Sequence, residues 1–357
     1  MLNNILDELK LNALVITDPY NMRHVSGFRG GEGALYISAA QKVLITDSRY
    51  TEQAGKESDF TVIEECRAHN RQTILKECME KENVTGDFHM GYEDQSMLCC
   101  EFDRLKAELP VHTWTPLGSK IDDLRQIKTE EELEYLAKAE EIGDRAFANL
   151  LKIVKPGMTE LEVAAELEYQ MKKEGAEDLS FNTIIASGLN SSMPHAIPGY
   201  KKLEKGDFVT CDFGCKYKGY CSDMTRTFVL GKASEKQKEI YNVVLKAQLA
   251  GVAAVKAGVS GASVDKVSRD IIAEAGYGEY FGHGLGHSVG LFIHENPRLS
   301  PSDDSILKAG MIETVEPGIY VPGFGGVRIE DMVVVTEDGC RNLTHSPKEL
   351  IEIPVEE

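Results

Sequence analysis

Long apolar runs are missing from this 357-residue sequence. No stretch approaches the roughly 18–20 uninterrupted apolar residues that a membrane-spanning helix needs. Positive charge is scarce as well, with 39 Lys and Arg against 58 Asp and Glu and a formal charge of −19. A chain so acidic repels nucleic-acid phosphates and anionic bilayer surfaces, so neither nucleic acid nor a membrane is expected as a partner. Solubility is the commoner reason for such a charge. The cysteines, at 66, 78, 99, 100, 211, 215, 221 and 340, contain no CxxC pair and no regular ladder of spacings. The cluster at 211, 215 and 221 could be read as thiolate ligands, but small buried residues in a reduced compartment fit better. The opening MLNNILDELK carries Asp7 and Glu8 where a secretory leader would be basic and then apolar, and a cytoplasmic location is expected. No Walker A loop, GxSxG elbow or dinucleotide GxGxxG follows a strand pattern, which sets aside the common nucleotide and serine-hydrolase chemistries.

What is present describes a folded α/β protein. Apolar residues make up 42% and charged ones 27%, enough for a substantial core, and the length suits two domains. In the first third, the segments 13–17, 34–38, 42–46 and 61–65 read as strands, and 50–57, 70–82 and 97–108 as helices. Arg23, His24 and Arg49 are the conspicuous residues there, and all three read as solvated surface. Pro110, Pro116 and Gly118 break the pattern and place a boundary near 118–125. Thr129 and Glu132 then form a capping box ahead of an apolar stripe, which predicts a helix to about Val154.

The remainder contains an internal repeat. VKPGMT (154–159) matches VKAGVS (255–260), a shift of 101, and LEKGDFVTCDFG (203–214) matches LKAGMIETVEPG (307–318), a shift of 104. Two copies at so long a period exclude a solenoid and predict two related α/β halves with a cleft between them.

Each half supplies two acids on a predicted hairpin. Asp212 and Asp223 flank a turn at Gly219, and Glu316 and Glu330 flank Gly323, Gly325 and Gly326. Apolar and β-branched neighbours surround all four, so the carboxylates belong to buried strands. Burying unpaired carboxylates is costly, and only Arg226 and Arg328 offer nearby positive charge. Two divalent ions would supply it directly. Between the hairpins, FGHGLGHSVGLFIHENP places His283, His287 and His294 in a glycine-rich segment. Oxygen donors with one imidazole suit Mn²⁺, Zn²⁺ or Co²⁺ alike. Such two-metal sites activate water for attack on a carbonyl or phosphoryl group.

DFG…SDMTRTF, GHGLGHSVGLFIHENP, VEPGIY and VRIED together resemble the pita-bread metallopeptidases: Xaa-Pro aminopeptidase, prolidase and methionine aminopeptidase, with metal-free creatinase as a cousin. The resemblance implies a creatinase-like α/β N-terminal domain over 1–121 and a duplicated pita-bread α/β catalytic domain over 122–357. It implies that Asp212, Asp223, His287, Glu316 and Glu330 hold two divalent ions, manganese first, with Asp223 and Glu330 shared by both. Glu316 would also act as general base, and His195 and His294 would hold the substrate and stabilise the tetrahedral intermediate. His283 would lie near the proline pocket and Arg298 would hold a free carboxylate. Arg328 would support the site or serve as an ion-pair partner. Methionine aminopeptidases usually lack the N-terminal domain, so the layout favours small peptides with proline in second position, cleaved by an Xaa-Pro aminopeptidase or an Xaa-Pro dipeptidase. A non-catalytic binding module, or creatinase-like metal-free hydrolysis, would require lost ligands, and all five matching residues are present. The resemblance also implies a homodimer.

Overall fold

The computed structural model describes residues 2–355. The chain divides into two compact units, Met1–Arg125 and Gln126–Glu357. In the first unit, β1 (Ala13–Ile16), β2 (Ala34–Ser38), β3 (Lys42–Asp47), β4 (Thr61–Glu65), β5 (His89–Tyr92) and β6 (Thr113–Pro116) form one sheet in the order β4-β3-β2-β1-β5-β6. β1 and β2 are buried along their whole length, because apolar clusters cover both faces of the sheet. The helices are α1 (Leu2–Leu9), α2 (Pro19–Ser26), α3 (Thr51–Glu57), α4 (Arg71–Lys81) and α5 (Cys99–Glu108).

Helices α1 and α2 and strands β5 and β6 were not evident from periodicity, being only one to two turns or four residues long. α2 is nevertheless specified locally. The Asp18 side chain accepts from the Tyr20 and Asn21 amides, Pro19 opens the helix, and Gly27 ends it at φ 79°. Arg49 is exposed and paired with Asp47 and Glu32, both at 2.7 Å. Arg23 and His24, expected on the solvated surface, are half-buried in the last turn of α2. The cysteines also need correcting. All eight are free, but Cys66, Cys99 and Cys100 are exposed, the latter two because the first turn of α5 faces solvent.

In the second unit, the capping box at Thr129 and Glu132 forms as the sequence requires and starts α6 (Glu130–Leu150). The helix stops four residues short of Val154, where 151–153 turn away. α7 (Glu160–Lys173), α8 (Glu235–Ala254) and α9 (Gly261–Glu274) complete the helices. The repeat is physical: α7 and α9 coincide residue for residue under the shift of 101. Isolated bridges Thr159–Lys202 and Ser260–Ile306 recur in front of them.

The strands of this unit are β7 (Asp178–Leu179), β8 (Ile184–Ser187), β9 (Phe208–Phe213), β10 (Cys215–Tyr217), β11 (Tyr220–Cys221), β12 (Met224–Leu230), β13 (Gly286–Ser288), β14 (Glu295–Leu299), β15 (Ile312–Val315), β16 (Gly318–Val321), β17 (Gly325–Arg328), β18 (Asp331–Val335), β19 (Cys340–Asn342) and β20 (Ile351–Ile353). The first half is built on the sheet β20-β12-β9-β8 and the second on β15-β18-β19. Each half has its own apolar core against its helices. Among the described residues no helix is long and apolar enough to cross a membrane.

Candidate metal centre

The duplicated hairpins bring the acids together. β9 and β12 pair antiparallel with Asp212 opposite Thr225, and Asp223 stands one residue before β12. The short ribbon β10–β11 turns between them at Lys218 and Gly219, both at positive φ. In the second half β15 and β18 pair with Val315 opposite Asp331. Glu316 and Glu330 therefore emerge side by side from the same end of that pair, and β16–β17 forms the ribbon between them. Repetition of one hairpin thus delivers two acids from each half.

Carboxylate oxygens of Asp212, Asp223 and Glu330 lie within 4.8 Å of one another. His287 Nε2 is 3.4 Å from Asp223 Oδ2 and 3.5 Å from Glu316 Oε1. Hydroxyls and carboxylates behind them fix the geometry. Thr225 Oγ1 donates to Glu330 Oε2 at 2.7 Å, and Thr314 Oγ1 donates to Glu316 Oε1 at 3.2 Å while accepting from the His287 amide at 3.1 Å. The buried Glu140 accepts from the Asp223 amide at 3.3 Å and from the Thr344 hydroxyl at 2.6 Å. Gly286 is required for close approach, since a Cβ there would lie 1.9 Å from the Thr314 carbonyl oxygen.

The electrostatics are those of acids forced together. Burial first, then repulsion from neighbouring carboxylates, pushes Asp223 and Glu330 well above the usual carboxylate range. Burial also raises Glu316 to about 7. The same desolvation, aided by His294, lowers His287 to about 3, so its imidazole is neutral. Its Nδ1 lies 3.1 Å from the Ser288 carbonyl oxygen, which fixes the proton there and leaves Nε2 as an acceptor.

Once a cation displaces their protons, four carboxylates and one imidazole present only lone pairs to one another. Asp212 Oδ1 is buried with no hydrogen-bond partner. Arg328 balances part of this charge, donating to Asp212 Oδ2 at 2.6 Å, the Tyr320 hydroxyl at 2.7 Å and Thr225 Oγ1 at 3.0 Å. Arg226, the other cation considered from the sequence, is turned to Asp331 at 2.8 Å and to backbone carbonyl oxygens. An acceptor-only set with one orphaned buried oxygen fits a divalent cation, and hard oxygen donors with one imidazole suit manganese, cobalt or zinc.

These groups line a cavity of about 500 Å³. His195, His283, His294, Arg298 and Arg328 share its wall with the four acids and His287, so all ten residues singled out from the sequence meet in one place. His283 is tied by Nδ1 to the Gly284 carbonyl at 2.8 Å and by Nε2 to the Tyr320 hydroxyl at 2.9 Å. His195 and His294 are exposed on the cavity side. Arg298 reaches the His294 carbonyl oxygen at 3.4 Å. Sequence reasoning missed Phe181, Asn182, Ile184, Pro194 and Ser300 on the wall, and Tyr320 and Glu140 behind it. Tyr320 stood in the quoted VEPGIY segment, whereas Glu140 looks like any other acid of an exposed helix until α6 is packed.

A duplicated α/β scaffold with this acid-and-imidazole cluster defines a class, and the comparisons agree. Residues 134–337 match metallopeptidase family M24, and residues 1–127 match the creatinase/prolidase N-terminal domain. The chain belongs to metallopeptidase family M24 and is a peptide hydrolase with the pita-bread fold. It is 41% identical to the Xaa-Pro dipeptidase of Pyrococcus furiosus, over 97% of each chain. Among solved structures, the Xaa-Pro dipeptidase from Bacillus anthracis superposes with a TM-score of 0.94 at 43% identity, covering 98% of this chain and 97% of that one. The X-Pro aminopeptidase from Thermotoga maritima gives 0.90 at 38% identity, covering 97% and 99%.

Proposed function

We propose that this chain is a dinuclear metal-dependent peptidase that hydrolyses the Xaa-Pro bond, in dipeptides or at the start of short peptides. The observation that carries this reading is the convergence of four carboxylates and one neutral imidazole, acceptors only, on one cavity. In it, Asp212, Asp223, His287, Glu316 and Glu330 would hold the ions. Bound divalent ions lower the pKa of water and stabilise negative charge developing on a carbonyl oxygen.

The rest falls to the chain itself. Glu316 accepts the proton of the attacking water, and His195 and His294, from opposite sides of the sequence repeat, bond to the substrate and to the oxyanion. His283 borders the proline ring. Arg298 holds the free carboxylate of a dipeptide. Arg328 is engaged by Thr225, Tyr320 and Asp212 within the protein, and its part is to balance the charge of Asp212.

Proline in second position is supported by relatives named Xaa-Pro dipeptidase and X-Pro aminopeptidase and by a cavity of dipeptide size. Manganese as the physiological ion, a homodimer and a cytoplasmic location complete the reading and rest on family resemblance and composition. The test is release of proline from Ala-Pro and Met-Pro, and of the first residue from Ala-Pro-Gly, with manganese loaded. Turnover of at least one of these peptides is expected; no turnover on any of them overturns the proposal.

A further inference from the structure

His287 and His294 sit at the two ends of one short loop, and that loop is stitched from behind. β13 and β14 pair His287 with Arg298 but then Ser288 with Glu295, so the register jumps between His287 and Ser288. The Glu295 carboxylate fills the resulting space. Its Oε1 accepts from the Phe292 amide at 3.2 Å, and a Cβ on Gly290 would lie 2.5 to 2.7 Å from its carboxyl atoms. Lys128 Nζ reaches Glu295 Oε2 at 3.2 Å and Ser288 Oγ at 3.3 Å. The ion pair is almost wholly buried, the side chains 1% and 5% exposed. Lys128 is held in turn by its own amide, which donates to the Gly310 carbonyl at 2.9 Å. The two imidazole rings, 4.6 Å apart and edge to face, project from this frame towards the cavity.

A buried ion pair is a poor device for stability, because desolvation consumes most of the attraction. It is a good device for geometry, since a fixed ammonium accepts few arrangements of its partners. We propose that Lys128 and Glu295 are positioning residues for the peptidase reaction: their ion pair holds the bulged ribbon so that His287 and His294 face the cavity together. The inference rests on the reading of His287 as a metal ligand.

The test uses the full-length protein stripped of metal and titrated calorimetrically with manganese(II), beside kcat and KM for Ala-Pro at saturating manganese. Lys128→Met is expected to weaken the binding of one of two ions about 10- to 100-fold and to lower kcat over a similar range. Glu295→Gln, whose single oxygen can accept from Lys128 or from the Phe292 amide but not from both, is expected to lose several-fold less. Should Lys128→Met fail to fold, Glu295→Gln carries the test alone, with a measurable loss of affinity expected and wild-type binding contradicting it. Val163→Ala, a truncation in the first half's own apolar core on α7, serves as a control for general destabilisation. The proposal fails if this control weakens manganese binding as much as Lys128→Met does, or if Lys128→Met binds and turns over as the wild type does. His287→Ala separates the two layers of reasoning. Unchanged metal binding in that variant overturns the ligand assignment itself, whereas its loss beside a normal Lys128→Met overturns only the positioning role.

Discussion

Replacing Glu313 with methionine should stabilise the protein at neutral pH. Glu313 lies on β15 opposite Val333, fully buried, and both its carboxylate oxygens lack a hydrogen-bond partner. Lys128 is the foremost attractive charge acting on it, and that ammonium is already committed to Glu295. Burial therefore holds the Glu313 carboxyl well above its ordinary range. The sign follows directly. An acid with a raised folded-state pKa keeps its proton while the unfolded chain releases it, so stability falls as pH rises above the unfolded value of about 4.3.

Each pH unit above the unfolded value over which the folded carboxyl keeps its proton costs about 1.4 kcal/mol of stability. Methionine has a similar length, and a volume-conserving exchange costs less than about 1.5 kcal/mol. Little more than one such unit therefore offsets the exchange, and the methionine variant gains from there upward. Urea unfolding of wild type and Glu313→Met, in the same metal state at several pH values from 4 to 8, reads it out. The two proteins should nearly coincide near pH 4 and separate by about 1.4 kcal/mol for each further unit. A variant less stable at pH 7, or a difference that does not change with pH, would refute the reasoning and show Glu313 to be an ionised partner of Lys128.

Other consequences follow from the same geometry. Glu330→Gln should abolish the binding of at least one ion, weakening manganese affinity by more than about a hundredfold in calorimetry. Manganese at about a hundredfold above its dissociation constant should stabilise the protein by about 2.7 kcal/mol, visible as a higher thermal midpoint that a chelator reverses. Arg328→Met breaks a buried pair with Asp212 and should destabilise the metal-free protein by about 3–5 kcal/mol, with manganese recovering part of the loss. Gly286→Ala drives a Cβ against the Thr314 carbonyl and should lower the urea midpoint by the equivalent of about 1–3 kcal/mol.

Much of this was legible because the chemistry is local. The shift of 101 residues exposed the duplication that α7 and α9 follow, and the Thr129 capping box located the start of α6. Acids flanked by apolar strands announced burial, and burial announced the need for a cation. What stayed hidden depends on register and packing. Glu140 and Lys128 look like ordinary charges of an amphipathic helix and its approach until the fold encloses them. Tyr320 acquires its bonds to His283 and Arg328 only when β16 and β17 pair. β5 and β6, the last two strands at one edge of the first sheet, are four residues each and carry Gly91 and Pro116 where the equally short β1 is wholly apolar.

The central claim is that the four acids and His287 form a working two-ion site. Its most direct test is to follow hydrolysis of Ala-Pro while manganese is added stepwise to metal-free enzyme and the bound ions are counted by elemental analysis. The account predicts that activity is absent without metal and reaches its maximum at about two ions per chain. Full activity in the metal-free chain, or saturation with ions and no cleavage, would contradict it.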